Sequence, residues 1–390
     1  MNSFVDDANA AWGERLQRNF DGDRPGRKLF RWGCILVIHW LISSFLLCFQ
    51  VTYADDWREL APIPDPEGFA GAFAGVSHDV LLVAGGANFP GKKPWEGGTK
   101  VWYDNIYAIE NSESSWKIVG KLPRPLGYGV SVSHKQSIIC VGGSDARRHY
   151  SEAYRLTLAK GPSEVSGIEV DSLPSLPMTI ANACGAIVGD ILYVAGGQEH
   201  PDSVSTLSKV WLLDLSSQNL QWQEIESLPT SGRMLSVAAS FDGTFVVMGG
   251  VDLKKAVDGH IERLYLNDAY RYRLGYGWEP LPDLPRPVTA APSPTPADSS
   301  GIYILGGDDG SQLGVAPNNH RGFNTTILRF DFEANQWREH GTVPAPRVTV
   351  PCVRWHDTDA GEKAWVIPSG EKQPSIRSPM VWLMTTGAKD

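Results

Sequence analysis

Residues 81–86 read Leu-Leu-Val-Ala-Gly-Gly, a short apolar run closed by a glycine doublet, and the pattern returns along the chain. Later copies are IICVGG at 138–143, LYVAGG at 192–197, FVVMGG at 245–250 and IYILGG at 302–307, with a degenerate sixth, AWVIPSG, at 364–370. The doublets begin at Gly85, Gly142, Gly196, Gly249 and Gly306, with Ser369-Gly370 in the sixth copy, at intervals of 57, 54, 53, 57 and 63 residues. Self-similarity at this period is the mark of a repeat architecture. Each run is a strand that ends where the backbone must turn tightly.

About 20 to 35 residues after most doublets comes an aromatic-rich strand with a Trp just beyond it: 106–109 before Trp116, 211–215 before Trp222, 270–274 before Trp278 and 327–332 before Trp337. A Leu-Pro or similar pair follows, at Leu122-Pro123, Leu173-Pro174, Leu228-Pro229, Leu281-Pro282 and Val343-Pro344. Proline there ends the outer strand and starts the next unit. In one unit Ile168 and Val170 stand in for the Trp. Four short strands per unit predict an all-β propeller, and the diglycine with spaced Tyr and Trp resembles the kelch repeat. The ends complete the count. Residues 57–60, followed by Ala61-Pro62, read as an outer strand with no inner strands before it, while 381–383 is a third strand with no Trp strand behind it. The expectation is six blades over residues 55–390, the last closed by strands from both termini, which removes exposed edges.

Composition agrees. Gly and Pro number 40 and 27, as a tightly turned β chain requires. A formal net charge of -9 argues against nucleic acid as a partner. Residues 1–54 differ in kind: Arg24, Arg27, Lys28 and Arg31 precede an apolar run over 32–51, then Thr52-Tyr53-Ala54. They read as a secretory signal peptide cut after Ala54, which places the protein in the periplasm or outside the cell with no membrane attachment. An uncleaved signal anchor in the inner membrane is the alternative. Cys34 and Cys48 fall in this leader; Cys140, Cys184 and Cys352 fall in inner strands of three blades, read as buried thiols with no disulfide or zinc spacing.

In an up-and-down blade, the loop between the second and third strands and the link to the next blade emerge at the same face. That face collects the long polar segments after the doublets, together with Arg124, Arg233, Arg286 and Arg347 in the inter-blade links. Converging arginines suit an anionic ligand, because guanidinium forks match carboxylates; inter-blade ion pairs are the plainer role for any one of them.

The stretch WRELAPIPDPEGFAGAFAGVSHDVLLVAGGANFPG at 57–91, with KVWYDNIYAIE from Lys100 and LGYGVSV from Leu126, resembles the cyclically permuted mutarotase family. The resemblance implies a six-bladed kelch propeller whose blade order is rotated around the ring, and a cofactor-free isomerase acting on N-acetylneuraminate or a related sugar acid. The family's Gly-Glu-Ala-Lys-Pro-Gly-Leu-Arg run is matched here by Gly370-Glu371-Lys372-Gln373-Pro374-Ser375-Ile376-Arg377. It implies Glu371 as the proton-transfer carboxylate and Arg377 as its partner, holding the substrate carboxylate or a developing oxyanion. His320, in the fifth blade's long loop, is a candidate acid. Asn88 and Phe89 are candidates for an amide contact and an aromatic wall, alongside Trp95 and Trp102. The loop after Gly306-Gly307 is shorter than in that family, so the substrate's far end is met differently.

Three rival classes can use a propeller scaffold. A non-catalytic kelch propeller binding a carbohydrate or protein needs no proton-transfer pair. A sialidase would carry repeated Asp boxes, whereas Ser240-Phe241-Asp242-Gly243 is a single near miss. A copper oxidase on this scaffold would need a Cys-Tyr cross-link and paired His ligands, a pattern absent from the sequence.

Overall fold

The computed structural model describes residues 56–160, 165–357 and 362–385. The expected leader lies outside the described residues. Within them are six four-stranded antiparallel sheets. In the first blade Phe73–Ser77 is innermost, followed outward by Val80–Ala84, Asn105–Ile109 and Lys117–Lys121. The next four blades repeat this order, starting from Val130–His134, Cys184–Val188, Val237–Phe241 and Ala297–Asp298. The sixth runs Val353–Asp357, Glu362–Pro368, Val381–Thr385 and then Asp56–Leu60, the strand from the other end of the chain, paired Trp57 to Met384 and Leu60 to Val381. The ring therefore closes as its fragmentary ends predict.

Both faces of each sheet are apolar, so a blade must be covered on both sides. Six clusters of buried side chains meet this need, one at each joint between neighbouring blades. At the closing joint Leu60, Trp355, Val366 and Leu383 of the last blade pack with Leu81 and Val83 of the first. The repeated Trp also belongs to the joint. Trp116 Nε1 donates to Ala61 O, Trp222 to Pro174 O, Trp278 to Glu226 O and Trp337 to Pro282 O, each carbonyl lying at the exit of the preceding blade. Each bond contributes about 1 kcal/mol. In the second blade, which lacks the Trp, Ile168 fills the space over Gly120 of the first, where an added Cβ would sit 2.2 Å from its methyl.

The doublets recur for a backbone reason. Gly85 has φ +65°, and a Cβ there would lie 2.2 Å from the Leu126 carbonyl oxygen. The sixth copy tolerates Ser369 at φ +76° because its hydroxyl accepts from Phe69 N at 2.7 Å and lies 2.7 Å from the Ser378 carbonyl oxygen. Cys140, Cys184 and Cys352 are buried and free, and burial pushes the Cys184 thiol up to about 12.

Candidate active site at the pore mouth

Immediately after each doublet, one residue bridges to the link that enters the same blade: Ala87 with Ala70, Ser144 with Gly127, Gln198 with Ala181, Val251 with Met234, Asp308 with Thr289 and Glu371 with Val348. The doublet loops and the inter-blade links therefore share one face, and six equivalent positions encircle the pore. Inside them runs a closed ring of backbone hydrogen bonds. Gly71 N donates to Thr349 O, Thr349 N to Ala290 O, Ala290 N to Leu235 O, Leu235 N to Asn182 O, Asn182 N to Tyr128 O and Tyr128 N to Gly71 O, at 2.6–2.9 Å. All six residues have positive φ, from +53° at Thr349 to +67° at Gly71. Such strain persists only where the surroundings over-determine it, and here every blade holds its neighbour.

Above this ring, over the fourth to sixth blades, lies a cavity of about 220 Å³. Its polar lining is Glu371, Asp308, Tyr265, Arg263, Thr289 and Thr349, and Phe323, Leu235, Val251 and Pro374 are among its apolar wall. Leu235, Ala290 and Thr349 also line the pore mouth, which continues to Tyr128 on the far side. Glu371 and Asp308 occupy equivalent positions in adjacent blades. Val251, one blade earlier, begins a hairpin, Val251–Lys255 with Ile261–Tyr265, that rises from the face and supplies Arg263 and Tyr265. The Tyr265 hydroxyl donates to Asp308 Oδ2 at 3.2 Å. Burial raises its pKa, and the Asp308 carboxylate raises it further.

Glu371 and Arg377 pair across a small ribbon, Glu371–Gln373 with Ile376–Arg377, turned at Ser375 with φ +65°. Ser375 N donates to Glu371 Oε1 at 2.5 Å, and Arg377 Nη1 lies 3.6 Å from the same oxygen. The Arg377 side chain is 4% exposed, so it stands behind the carboxylate and outside the cavity lining. Its guanidinium stacks 4.9 Å over the Phe89 ring, with Nη2 3.5 Å from the Tyr128 hydroxyl. Tyr128 in turn lies 4.1 Å beneath Lys100 Nζ. Phe89 is thus brought to the site as a platform for Arg377.

Other expected ligand residues are occupied within the protein. Asn88 is fully buried: its amide nitrogen donates to Asp65 Oδ1 and Gly68 O, and its oxygen accepts from the Tyr103 hydroxyl. It has no surface to offer a sugar. His320 is buried too; its Nδ1 accepts from Gly322 N at 3.1 Å, and its ring packs on Phe323. It supports the wall through Phe323 and does not line the cavity. Trp95 is 46% exposed on a short turn outside the cavity, and Trp102 packs beneath Lys100.

The link arginines do not converge on a ligand. Arg233 holds Asp268 with two hydrogen bonds of 2.7 and 2.8 Å and also donates to Gly249 O, the doublet carbonyl of the blade it enters. Arg286 donates to Gly306 O and Thr326 O in the same way one blade on. Arg347 is buried against Ser378 and Pro346 O, and burial lowers its pKa to about 10. Arg124 pairs with Glu152 at 3.1 Å, where Glu152 precedes its third strand as Asp268 precedes the corresponding strand of its own blade. Each meets a carbonyl or carboxylate of its own joint.

Residues 49–161 and 173–314 match the sequence model of the N-acetylneuraminate epimerase family. N-acetylneuraminate epimerase from Salmonella enteritidis PT4 is 46% identical over 101 residues, 23% of this chain and 26% of that protein. The enzyme of the same name from Yersinia enterocolitica is 50% identical over 88 residues, 20% and 21% of the respective chains. The matched part thus spans about a quarter of the length of these curated relatives. The solved structure of YjhT shares the fold, with a TM-score of 0.56 at 14% identity, covering 70% of this chain and 84% of that one. Glu371 and Arg377 lie beyond the matched segments; Glu371 holds the same post-doublet position in its blade as residues inside them do in theirs. With well over half its residues matched, the chain belongs to the N-acetylneuraminate epimerase family.

Proposed function

We propose that this propeller accelerates exchange between the anomers of N-acetylneuraminate or a closely related sugar acid. The observation that carries the reading is Glu371, a carboxylate fixed by Ser375 N and Arg377, facing a cavity that also holds a tyrosine hydroxyl and an aromatic wall. The pyranose is a hemiketal, so opening it needs one proton removed and one supplied. Glu371 takes the proton of the anomeric hydroxyl as the bond from the anomeric carbon to the ring oxygen breaks and the ketone forms. Tyr265 delivers a proton to the departing ring oxygen, in place of the expected His320. Rotation about the bond next to the ketone presents its other face, and re-closure runs the two transfers backwards. Phe323 packs on the sugar's C–H face, and Arg377 keeps Glu371 aimed. No redox change and no group transfer occurs, so the chemistry is complete with side chains alone.

The test is NMR magnetisation exchange between the anomer resonances of N-acetylneuraminate. The reading expects faster exchange with protein at an unchanged equilibrium ratio. A rate equal to that in buffer rejects it, and binding without acceleration would favour a carbohydrate-binding propeller.

A further inference from the structure

A sugar acid bound beside Glu371 and Asp308 brings a third negative charge into a cavity that already holds two carboxylates. Something must compensate it. Arg377 is buried behind Glu371, and the four link arginines are engaged at the joints. Only one cationic side chain lines the cavity among the described residues, and that is Arg263. It sits on the second strand of the hairpin, opposite Leu253 and two residues before Tyr265. A strand's period of two turns Arg263 and Tyr265 to the same side, while Glu262 and Leu264 turn away. Arg263 is exposed, and no carboxylate among the described residues forms an ion pair with it.

We infer that Arg263 is the carboxylate anchor of this cavity: its guanidinium grips the substrate acid and sets the anomeric carbon, one bond away, between Glu371 and Tyr265. This rests on the proposed function and adds how the site selects an acid over a neutral sugar. The hairpin that carries it is an elaboration of the fourth blade's post-doublet loop; at the equivalent places the first blade has only the two-residue pairing of Ala87–Asn88 with Val101–Trp102. Selectivity is therefore carried on a separable element, away from the buried ribbon that carries the base.

The test is calorimetric titration of the whole protein with N-acetylneuraminate and with its methyl ester, for the native chain, Arg263→Met and Arg263→Lys, alongside the exchange assay. A charge-assisted fork is lost in the Met variant, so the acid should bind about 10- to 100-fold more weakly. Preference for acid over ester should vanish in Arg263→Met and be partly restored in Arg263→Lys, with the maximal exchange rate changing less than the affinity. Because Arg263 is exposed, the thermal midpoint should not move. Native-like preference in Arg263→Met overturns the anchor while leaving the exchange activity standing. Equal native affinity for acid and ester overturns it as well. A native chain that neither binds the acid nor speeds exchange overturns the proposed function, and the anchor with it.

Discussion

Glu371 and Arg377 face each other across a two-residue turn with Oε1 3.6 Å from Nη1, yet only the carboxylate reaches the cavity. Arg377 has its Nε without a hydrogen-bond partner and its Cζ 4.9 Å over the centre of the Phe89 ring. On the proposed reading, a guanidinium so placed orients the base and does not grip the substrate. Arg377→Lys keeps the charge but loses the stacked plane, and should lower the maximal exchange rate about 10-fold or more with affinity for the sugar acid little changed. A large loss of affinity at an unchanged rate would return Arg377 to a direct binding role.

Tyr265 is proposed to supply the second proton. Removing a general acid costs about 10²–10⁴ in rate, so Tyr265→Phe should slow exchange by at least about 100-fold. Its raised pKa fixes the pH sign: the phenol keeps its proton past the ordinary tyrosine value of about 10. The native rate should hold up to about pH 10 and fall above it, and that limb should be missing in the Phe variant. A limb that survives in Tyr265→Phe belongs to another group.

Arg233 and Asp268 tie the third and fourth blades, with the guanidinium fully buried. Burial alone would raise the Asp268 pKa, but the hydrogen bonds and charge of Arg233, with hydrogen bonds from Thr230 and Tyr270, together outweigh it and the net direction is down. A lowered folded-state pKa means stability that is present above about pH 4 and is lost as pH falls through the folded value. Arg233→Met leaves Asp268 partly buried and unpaired and should cost about 3 kcal/mol at pH 7. The gap between native and variant should close as the pH drops below about 4, by denaturant titration across that range. Unchanged stability would deny the joint its role.

Gly71 is the sole glycine of the six-member pore ring. At φ +67°, an added Cβ would lie 2.7 Å from the Tyr128 ring and 2.8 Å from its backbone nitrogen. Gly71→Ala should therefore cost more than the roughly 1–2 kcal/mol of left-handed backbone alone. Ala290→Gly, at the equivalent ring position with φ +55°, relieves that strain and should be near neutral or slightly stabilising. Equal melting temperatures for the two variants would contradict the ring.

Much of the ring was legible because each blade repeats the same backbone demand. The doublets mark positive φ six times over, and the orphan strands at 57–60 and 381–383 fit one blade. The link arginines recur for the same reason. Arg233 and Arg286 recur at one place in successive repeats and meet the same framework partner, the doublet carbonyls of Gly249 and Gly306. At the cavity the symmetry breaks: Glu371 lines it, standing where other blades have Ala87, Ser144, Gln198 and Val251. Arg263 and Tyr265 lie in one of the long polar post-doublet segments, where Asp258-Gly259 between two alternating stretches is a hairpin turn signal. At Asn88 and His320 a polar residue in a polar loop gives no sign from sequence of the burial that claims its hydrogen bonds.

The central claim, that the Glu371 carboxylate moves the proton which opens the ring, is tested most directly by Glu371→Gln in the anomer-exchange measurement, with binding of N-acetylneuraminate followed in the same samples. The account predicts a fall of at least about 100-fold in exchange with the sugar acid still bound and the anomer ratio untouched. Native exchange in the Gln variant would contradict it.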